Sequence, residues 1–210
     1  MGIEYCHIAL LHYPVYNKRG DVVTTAVTNM DIHDISRAAK TFGMRRFYVV
    51  TPIPEQQEFA AKILRHWQEG HGSVYNPSRK KAFDIVSLAS SLDEVIRRVE
   101  CELTKPVRVA VTSAAPHHRR STSYGDFKKA VLDGSDAWIL VFGTGWGCAA
   151  EVIERADVIL DPIQGPTGYN HLSVRSAVAI VLDRLWGERQ KNDHTSADVT
   201  TTDAENELHK

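Results

Sequence analysis

The stretch that decides the fold is Trp138-Ile139-Leu140-Val141-Phe142-Gly143-Thr144-Gly145-Trp146-Gly147, an apolar run that breaks into glycines at 143, 145 and 147. Such a run reads as a buried strand. Glycines directly after it let a ligand approach the backbone and let successive N–H groups point into one cavity. A second unit of the same kind follows. Asp157-Val158-Ile159-Leu160-Asp161 ends in Pro162-Ile163-Gln164-Gly165, and Tyr169-Asn170-His171-Leu172-Ser173 then opens an amphipathic helix. Two loops in succession at the C-terminal ends of strands mark the place where open α/β sheets bind small molecules.

Outward from this stretch the chain alternates. Short apolar or β-branched runs predict strands near residues 4–11, 45–51, 84–88, 107–112, 137–142 and 157–160, with helices in the gaps. Asp31 is placed to cap a helix with Ile32, Ile35, Ala38, Ala39 and Phe42 on one face and Gly43 at its stop. Pro54 opens another that runs to Gly70, and Ser91 with Glu94 has the form of a capping box. A last helix from about Ser173 to Leu185 carries Val174, Ala177, Val178, Val181, Leu182 and Leu185 as an apolar stripe. The fold class that follows is α/β, a mainly parallel sheet flanked by helices. Residues 1–187 read as one domain and 188–210 as a disordered polar tail, poor in anything to bury. The long connection from Leu11 to Met30 carries no assignable element.

Composition bounds the class. The 210 residues are 43% apolar and 24% charged, enough for one substantial core. No apolar run reaches the roughly 20 residues of a spanning helix. The N-terminus lacks the basic flank and small-residue cleavage site of a signal peptide, so no membrane association and a cytoplasmic location are expected. Cys6, Cys101 and Cys148 are far apart, which predicts reduced thiols, with no disulfide framework and no metal site. The net charge of −1 hides an asymmetry: from residue 188 onward acids outnumber bases six to three, leaving 22 bases against 20 acids in the body. The basic clusters Lys18-Arg19, Arg45-Arg46, Arg79-Lys80-Lys81 and His117-His118-Arg119-Arg120 are each a solvated surface or a phosphate contact.

Several chemistries are excluded by pattern. The dinucleotide fingerprint follows a first strand and reads G-x-G-x-x-G. Here the glycine loop follows the fifth predicted strand, and its third glycine falls one residue early. No G-x-x-x-x-G-K-[ST] phosphate loop, G-x-S-x-G nucleophile elbow or H-E-x-x-H zinc motif occurs. A ligand held largely by backbone loops remains.

Three blocks then carry a family resemblance. They are Thr28-Asn29-Met30-Asp31-Ile32-His33-Asp34-Ile35-Ser36-Arg37-Ala38-Ala39, Leu140 to Gly147, and Leu160-Asp161-Pro162-Ile163-Gln164-Gly165 through Asn170-His171-Leu172-Ser173-Val174. In this order the chain resembles the SPOUT class (SpoU- and TrmD-like) of S-adenosylmethionine-dependent RNA methyltransferases over residues 4–187. In particular it resembles a small family in which FGTGWG and YNHLSVRSA recur in this order. The resemblance implies a C-terminal trefoil knot, an exception to the unknotted rule. It also implies a homodimer whose two subunits build each active site, an RNA substrate (tRNA or rRNA), and S-adenosylmethionine as cofactor with S-adenosylhomocysteine as product. By the same resemblance Thr112, Ser113, Gly143, Thr144, Gly145, Ile163, Gly165, Asn170, Leu172 and Ser173 line the cofactor pocket. Arg37 is the catalytic candidate, orienting an RNA phosphate or acting as base, and Asn29 organises the neighbouring loop. Arg45, Arg46, Arg119 and Arg120 are the candidate RNA contacts. His33 and His171 titrate near neutrality when unperturbed and are further candidate bases.

The chain departs from the SpoU pattern in two places. Thr144 and Gly145 stand where that loop has asparagine and glutamate, and Tyr169-Asn170-His171-Leu172-Ser173 replaces a serine-leucine-asparagine element. The acceptor therefore stays open between a ribose 2′-hydroxyl and a base nitrogen. A second class of function stays open too, a SPOUT-like dimer that holds cofactor or RNA without turnover. A weaker third is a nicotinamide-dependent enzyme.

Overall fold

In the computed structural model, residues 2–115 and 121–188 are described. Arg119, Arg120 and the polar tail beyond Glu188 lie outside the described residues. A short 3-10 turn (Gly2–Tyr5) leads into strands β1 (Cys6–Leu11), β2 (Val15–Tyr16) and β3 (Val22–Val23), helix α1 (Asn29–Thr41) and β4 (Arg46–Val50). Helices α2 (Pro54–Gln68), α3 (His71–Tyr75) and α4 (Pro77–Phe83) precede β5 (Val86–Ala89), α5 (Leu92–Leu103) and β6 (Val107–Thr112). The chain closes with β7 (Ser121–Thr122), α6 (Tyr124–Asp133), β8 (Ala137–Gly143), α7 (Ala150–Glu154), β9 (Val158–Leu160) and α8 (Val174–Trp186). The six predicted strands are all present, with ends displaced by no more than two residues.

Seven strands form one sheet in the order β5-β4-β1-β8-β6-β9-β7, and every pairing in it is parallel. Alternation along each strand sends residues to opposite faces, and both faces are covered. Ile8, Leu10, Phe47, Val49, Leu140 and Phe142 meet α1, α2, α6 and α8 on one side. Ala9, Leu11, Tyr48, Val50, Ile139 and Val141 meet α5 and α7 on the other. The allocation of helices follows from one-handed crossovers. Connections that step toward the β5 edge (β1 to β4, β4 to β5, β7 to β8) carry their helices on the first face. Those that step toward the β7 edge (β5 to β6, β8 to β9) carry them on the second. The path reverses around β1, β8 and β6, so the C-terminal ends of these central strands and of β9 open onto one crevice.

Local details correct three expectations. The cap of α1 is Thr28, not Asp31: the Thr28 hydroxyl accepts the Asp31 N–H at 3.1 Å and donates to the Asp31 carboxylate at 2.6 Å. In α5, Ser91 caps through the Glu94 N–H at 3.2 Å as expected. The Glu94 carboxylate, however, takes the N–H of Ser90 at 2.7 Å instead of that of Ser91, so the box closes one residue early. The unassigned connection from Leu11 to Met30 contains an antiparallel hairpin, Val15 opposite Val23 and Tyr16 opposite Val22. Its turn is held by Asn17, whose side-chain oxygen accepts from Arg19 N and Asp21 N. Among the described residues no helix is long and apolar enough to cross a membrane.

Candidate functional site

The crevice holds a cavity of about 900 Å³, within the roughly 300–1,000 Å³ range of small-molecule sites. Its walls come from chain segments far apart in sequence: Thr25-Ala26 with Thr28 and Asp31, Thr112 to Ala115, Phe142 to Gly147, Asp161 with Ile163, and residues between Gly168 and Val181. These are the strand-end loops and the first residues of α1 and α8.

The glycine loop is fixed by the hairpin. Trp146 N–H donates to Tyr16 O and Tyr16 N–H donates to Gly147 O, both at 2.9 Å. Gly145 adopts φ +59°, and a Cβ there would stand 2.8 Å from Tyr16 O. Gly143 is excluded from substitution on different grounds, because its Cβ would meet Cys148 N at 2.6 Å. Both positions require glycine for a loop this close to its support.

Beneath the loop runs a chain of hydroxyls. Thr144 Oγ1 donates to Leu11 O at 2.9 Å, Thr25 Oγ1 bonds Thr144 Oγ1, and His12 Nδ1 lies 3.1 Å from Thr25 Oγ1. Each hydroxyl has a single proton. With that of Thr144 spent on Leu11, Thr25 donates to Thr144 and His12 carries its proton on Nδ1. His12 Nε2 is then a buried acceptor without a partner. Burial, opposed by nearby Asp31, pushes His12 down to about 4, so the ring is neutral at pH 7.

Two carboxylates face the cavity. Asp31 is only 6% exposed and is engaged by the Thr28 hydroxyl and by Arg175 at 3.0 Å, with Arg175 also reaching Asp34 at 3.4 Å. Asp161 makes no side-chain hydrogen bond or ion pair among the described residues, although its N–H donates to Thr122 O. The second loop is almost free of internal bonds. Between Pro162 and Leu172 there are two among the described residues, Tyr169 N–H to Thr167 Oγ1 and Asn170 Nδ2 to Ala114 O at 3.2 Å. The remaining backbone groups there have no hydrogen-bond partner among the described residues and lie beside the apolar Ile163, Leu172 and Val174. Flat heteroaromatic ligands with hydrogen-bonding edges suit such a wall. The two carboxylates suit a cationic group such as a sulfonium or an ammonium.

Of the sequence-derived pocket residues, Thr112, Ser113, Gly143, Thr144, Gly145, Ile163, Asn170, Leu172 and Ser173 line the cavity, and Gly165 does not. Ser173 also caps α8, accepting from Ser176 N–H. Arg37 and Asn29 are exposed on α1 and stand outside the cavity wall. His33 is turned away from the cavity, edge-on to Trp67 and Phe83, where burial first and Arg79 second lower its pKa. His171 lines the cavity. Arg45 and Arg46 lie at the N-terminal end of β4, at the far end of the sheet, sharing Glu102 at 2.7 and 3.2 Å. Sequence reading missed Arg175 and the two carboxylates as site residues, although Asp31, Asp161 and Arg175 all lie within or beside the quoted blocks.

Fold and site together define an α/β protein built to hold a nucleotide-like ligand at the strand ends of a parallel sheet. The chain belongs to the family of SAM-dependent RNA methyltransferases, whose pattern it matches over residues 5–187. It is 41% identical over 184 residues to a tRNA (guanine-N(1)-)-methyltransferase of Oleidesulfovibrio alaskensis, covering 88% of this chain and 42% of that protein. The chain thus spans about two-fifths of that relative's length. An uncharacterised protein of Aquifex aeolicus is 37% identical over 187 residues, covering 89% of this chain and 91% of that one. The solved SpoU methyltransferase AviRb from Streptomyces viridochromogenes, in complex with the cofactor AdoMet, shares the fold. Its TM-score is 0.51 at 15% identity, over 86% of this chain and 58% of that one. The fold is thus the SPOUT-class fold that the sequence resemblance implied, and the family's cofactor is S-adenosylmethionine.

Proposed function

We propose that this domain transfers a methyl group from S-adenosylmethionine to a base nitrogen of tRNA. The observation that carries the reading is convergence. The three resemblance blocks, spread over more than a hundred residues, meet around one cavity, in a chain that matches the family over residues 5–187. The cofactor supplies a methyl group on a sulfonium, and the protein must align it with the acceptor and remove the acceptor's proton. The backbone at Ile163 and Leu172 and the Gly145 edge hold the adenosine, with Thr112, Ser113 and Asn170 closing the opposite wall. Asp161, whose carboxylate has no hydrogen bond or ion pair among the described residues, takes the proton; Asp31 is already engaged by Thr28 and Arg175. A base nitrogen is favoured over a ribose hydroxyl because the SpoU glutamate is absent from the glycine loop and a carboxylate at Asp161 can accept a ring N–H proton.

Arg37 and Asn29, exposed beyond their own cavity, serve the cavity of the partner in a homodimer, Arg37 on an RNA phosphate and Asn29 on the loop that carries it. The trefoil knot belongs to the same reading. Arg119 and Arg120, which lie outside the described residues, are RNA contacts in the same reading. Arg45 and Arg46, which share the Glu102 carboxylate at the other end of the sheet, have no part in it. The test is methyl incorporation from labelled S-adenosylmethionine into tRNA from cells lacking the protein, followed by nucleoside analysis. Methylated base is expected, with Asp161→Asn and Arg37→Ala each reducing incorporation roughly 100-fold or more, the loss typical of an acid–base group, and with Arg37→Ala leaving cofactor affinity within about threefold. Cofactor binding without incorporation into any RNA would favour the non-catalytic dimer.

A further inference from the structure

Trp146 sits inside the glycine loop, yet no core holds its indole: it is 56% exposed. Its backbone is fixed on both sides, the Trp146 N–H by Tyr16 O and the Gly147 N–H by Thr144 O. The side chain is therefore presented from a rigid support. His171 approaches it edge-on, with ring centres 6.0 Å apart and planes at 66°, and Tyr169, 71% exposed, meets His171 at 5.3 Å and 69°. Trp146 and His171 both line the cavity, and Tyr169 lies between the lining residues Gly168 and Asn170. Three aromatic rings set at steep angles, with exposed faces, thus form a corner on the rim of the cavity.

Burial in a core does not explain this arrangement, since two of the three rings are mostly in water. A planar partner does. An unstacked nucleobase can lie against one ring face while its edge meets the neighbouring ring, and single-stranded bases are held by aromatic stacking of this kind. An acceptor base has to enter this same cavity, because methyl transfer needs donor and acceptor atoms roughly 3–3.5 Å apart. A base reaches such a cavity only when it is taken out of its stack. We propose that Trp146, His171 and Tyr169 form a stacking corner that receives the acceptor nucleobase of the RNA and holds it flat at the cavity mouth. The inference rests on the methyltransferase reading and assigns that reading its acceptor subsite.

The experiment uses wild type, Trp146→Ala, Trp146→Phe and Tyr169→Ala, each checked for an unchanged melting curve. Cofactor affinity is read by calorimetry with S-adenosylmethionine, and methyl transfer by kcat/KM on unfractionated tRNA from cells lacking the protein. In Trp146→Ala the cofactor affinity is expected to stay within threefold and kcat/KM to fall roughly 5- to 150-fold, the loss of one stacked base. Trp146→Phe recovers most of it, and Tyr169→Ala shows a smaller loss. Tryptophan fluorescence quenched by tRNA in wild type and not in Trp146→Phe gives a readout independent of turnover. Equal kcat/KM in wild type and Trp146→Ala overturns the proposal. So does the absence of a Trp146-dependent quench, or a shift of Trp146→Ala from dimer to monomer in sedimentation, which would make the corner a subunit contact. A wild type that binds no cofactor refutes the methyltransferase reading itself, and the subsite with it. A wild type that binds cofactor without transferring methyl, yet shows the quench, retains the base-binding corner and removes the catalysis.

Discussion

Replacing Gly145 with alanine puts a methyl group 2.8 Å from Tyr16 O and 3.3 Å from Thr25 Cγ2, at a residue with φ +59°. The left-handed backbone alone costs an L-residue about 1–2 kcal/mol. Relieving the contact means moving the loop off the hairpin, because the atom struck is backbone, and that breaks the bond from Trp146 N–H to Tyr16 O. A typical hydrogen bond contributes about 0.5–1.5 kcal/mol net. The total is about 1.5–3.5 kcal/mol, concentrated in one loop. If that loop helps form the cofactor wall, its native arrangement becomes the minority state and affinity for S-adenosylmethionine falls roughly 10- to 400-fold. Calorimetric titration of Gly145→Ala measures this directly. Gly165→Ala is the control, since its Cβ would meet nothing within 4 Å and Gly165 is outside the cavity wall; its affinity should stay within about threefold. A Gly145→Ala protein that is folded and binds as tightly as wild type would show that the loop's backbone path is irrelevant to the site.

Three other perturbations have directions set by the structure. His7 and His12 are both pushed down from 6.5 to about 4, chiefly by burial, with Glu102 opposing the shift at His7 and Asp31 opposing it at His12. The unfolded chain takes up protons below pH 6.5 while the folded one does not until about 4. Stability is therefore whole above 6.5 and drains as pH falls, by up to about 1.4 kcal/mol per pH unit per histidine. Urea unfolding at pH 6.5 and 5.0 should differ by up to about 4 kcal/mol on that basis, and equal midpoints would contradict it. Arg175→Ala leaves the nearly buried Asp31 carboxylate with Thr28 as its one remaining side-chain hydrogen-bond partner among the described residues and should cost about 1–3 kcal/mol in the same assay, with Arg175→Lys intermediate. Thr25→Val removes the acceptor for His12 Nδ1–H and the donor to Thr144. A loss of about 1–3 kcal/mol is expected, together with weaker cofactor binding, and an unchanged denaturation midpoint would discount the hydroxyl chain.

The sheet was legible because its central strands are buried on both faces and so read as unbroken apolar runs, Trp138 to Phe142 above all. The hairpin at Val15–Tyr16 and Val22–Val23 was not. Two-residue strands have no periodicity of their own, and this pair is held by Gly147 and Trp146, more than a hundred residues away. The cavity wall was largely readable, since ligand loops follow strand ends and glycines mark them. Its electrostatics were not, because Asp31 and Arg175 are separated by 144 positions and only the packing of α8 beside α1 joins them. Arg45-Arg46 carried a signal that adjacency alone conceals. The pair precedes a strand, and in a parallel sheet whatever precedes a strand lies at the opposite end from the loops that follow the others. Arg37 was found by block match and stands outside its own cavity, which helix periodicity alone does not reveal.

The cavity draws its first wall from Thr25–Asp31 and its last from the opening turns of α8. A nascent chain on the ribosome therefore has no site to offer until residues near 177 have been translated and have cleared the exit tunnel. The hairpin, made early, has to wait for a loop synthesised more than a hundred residues later before its outer edge is satisfied. Any small molecule that binds here recognises the finished domain and none of its precursors. Its concentration in the cell then biases the last step of maturation, not the first.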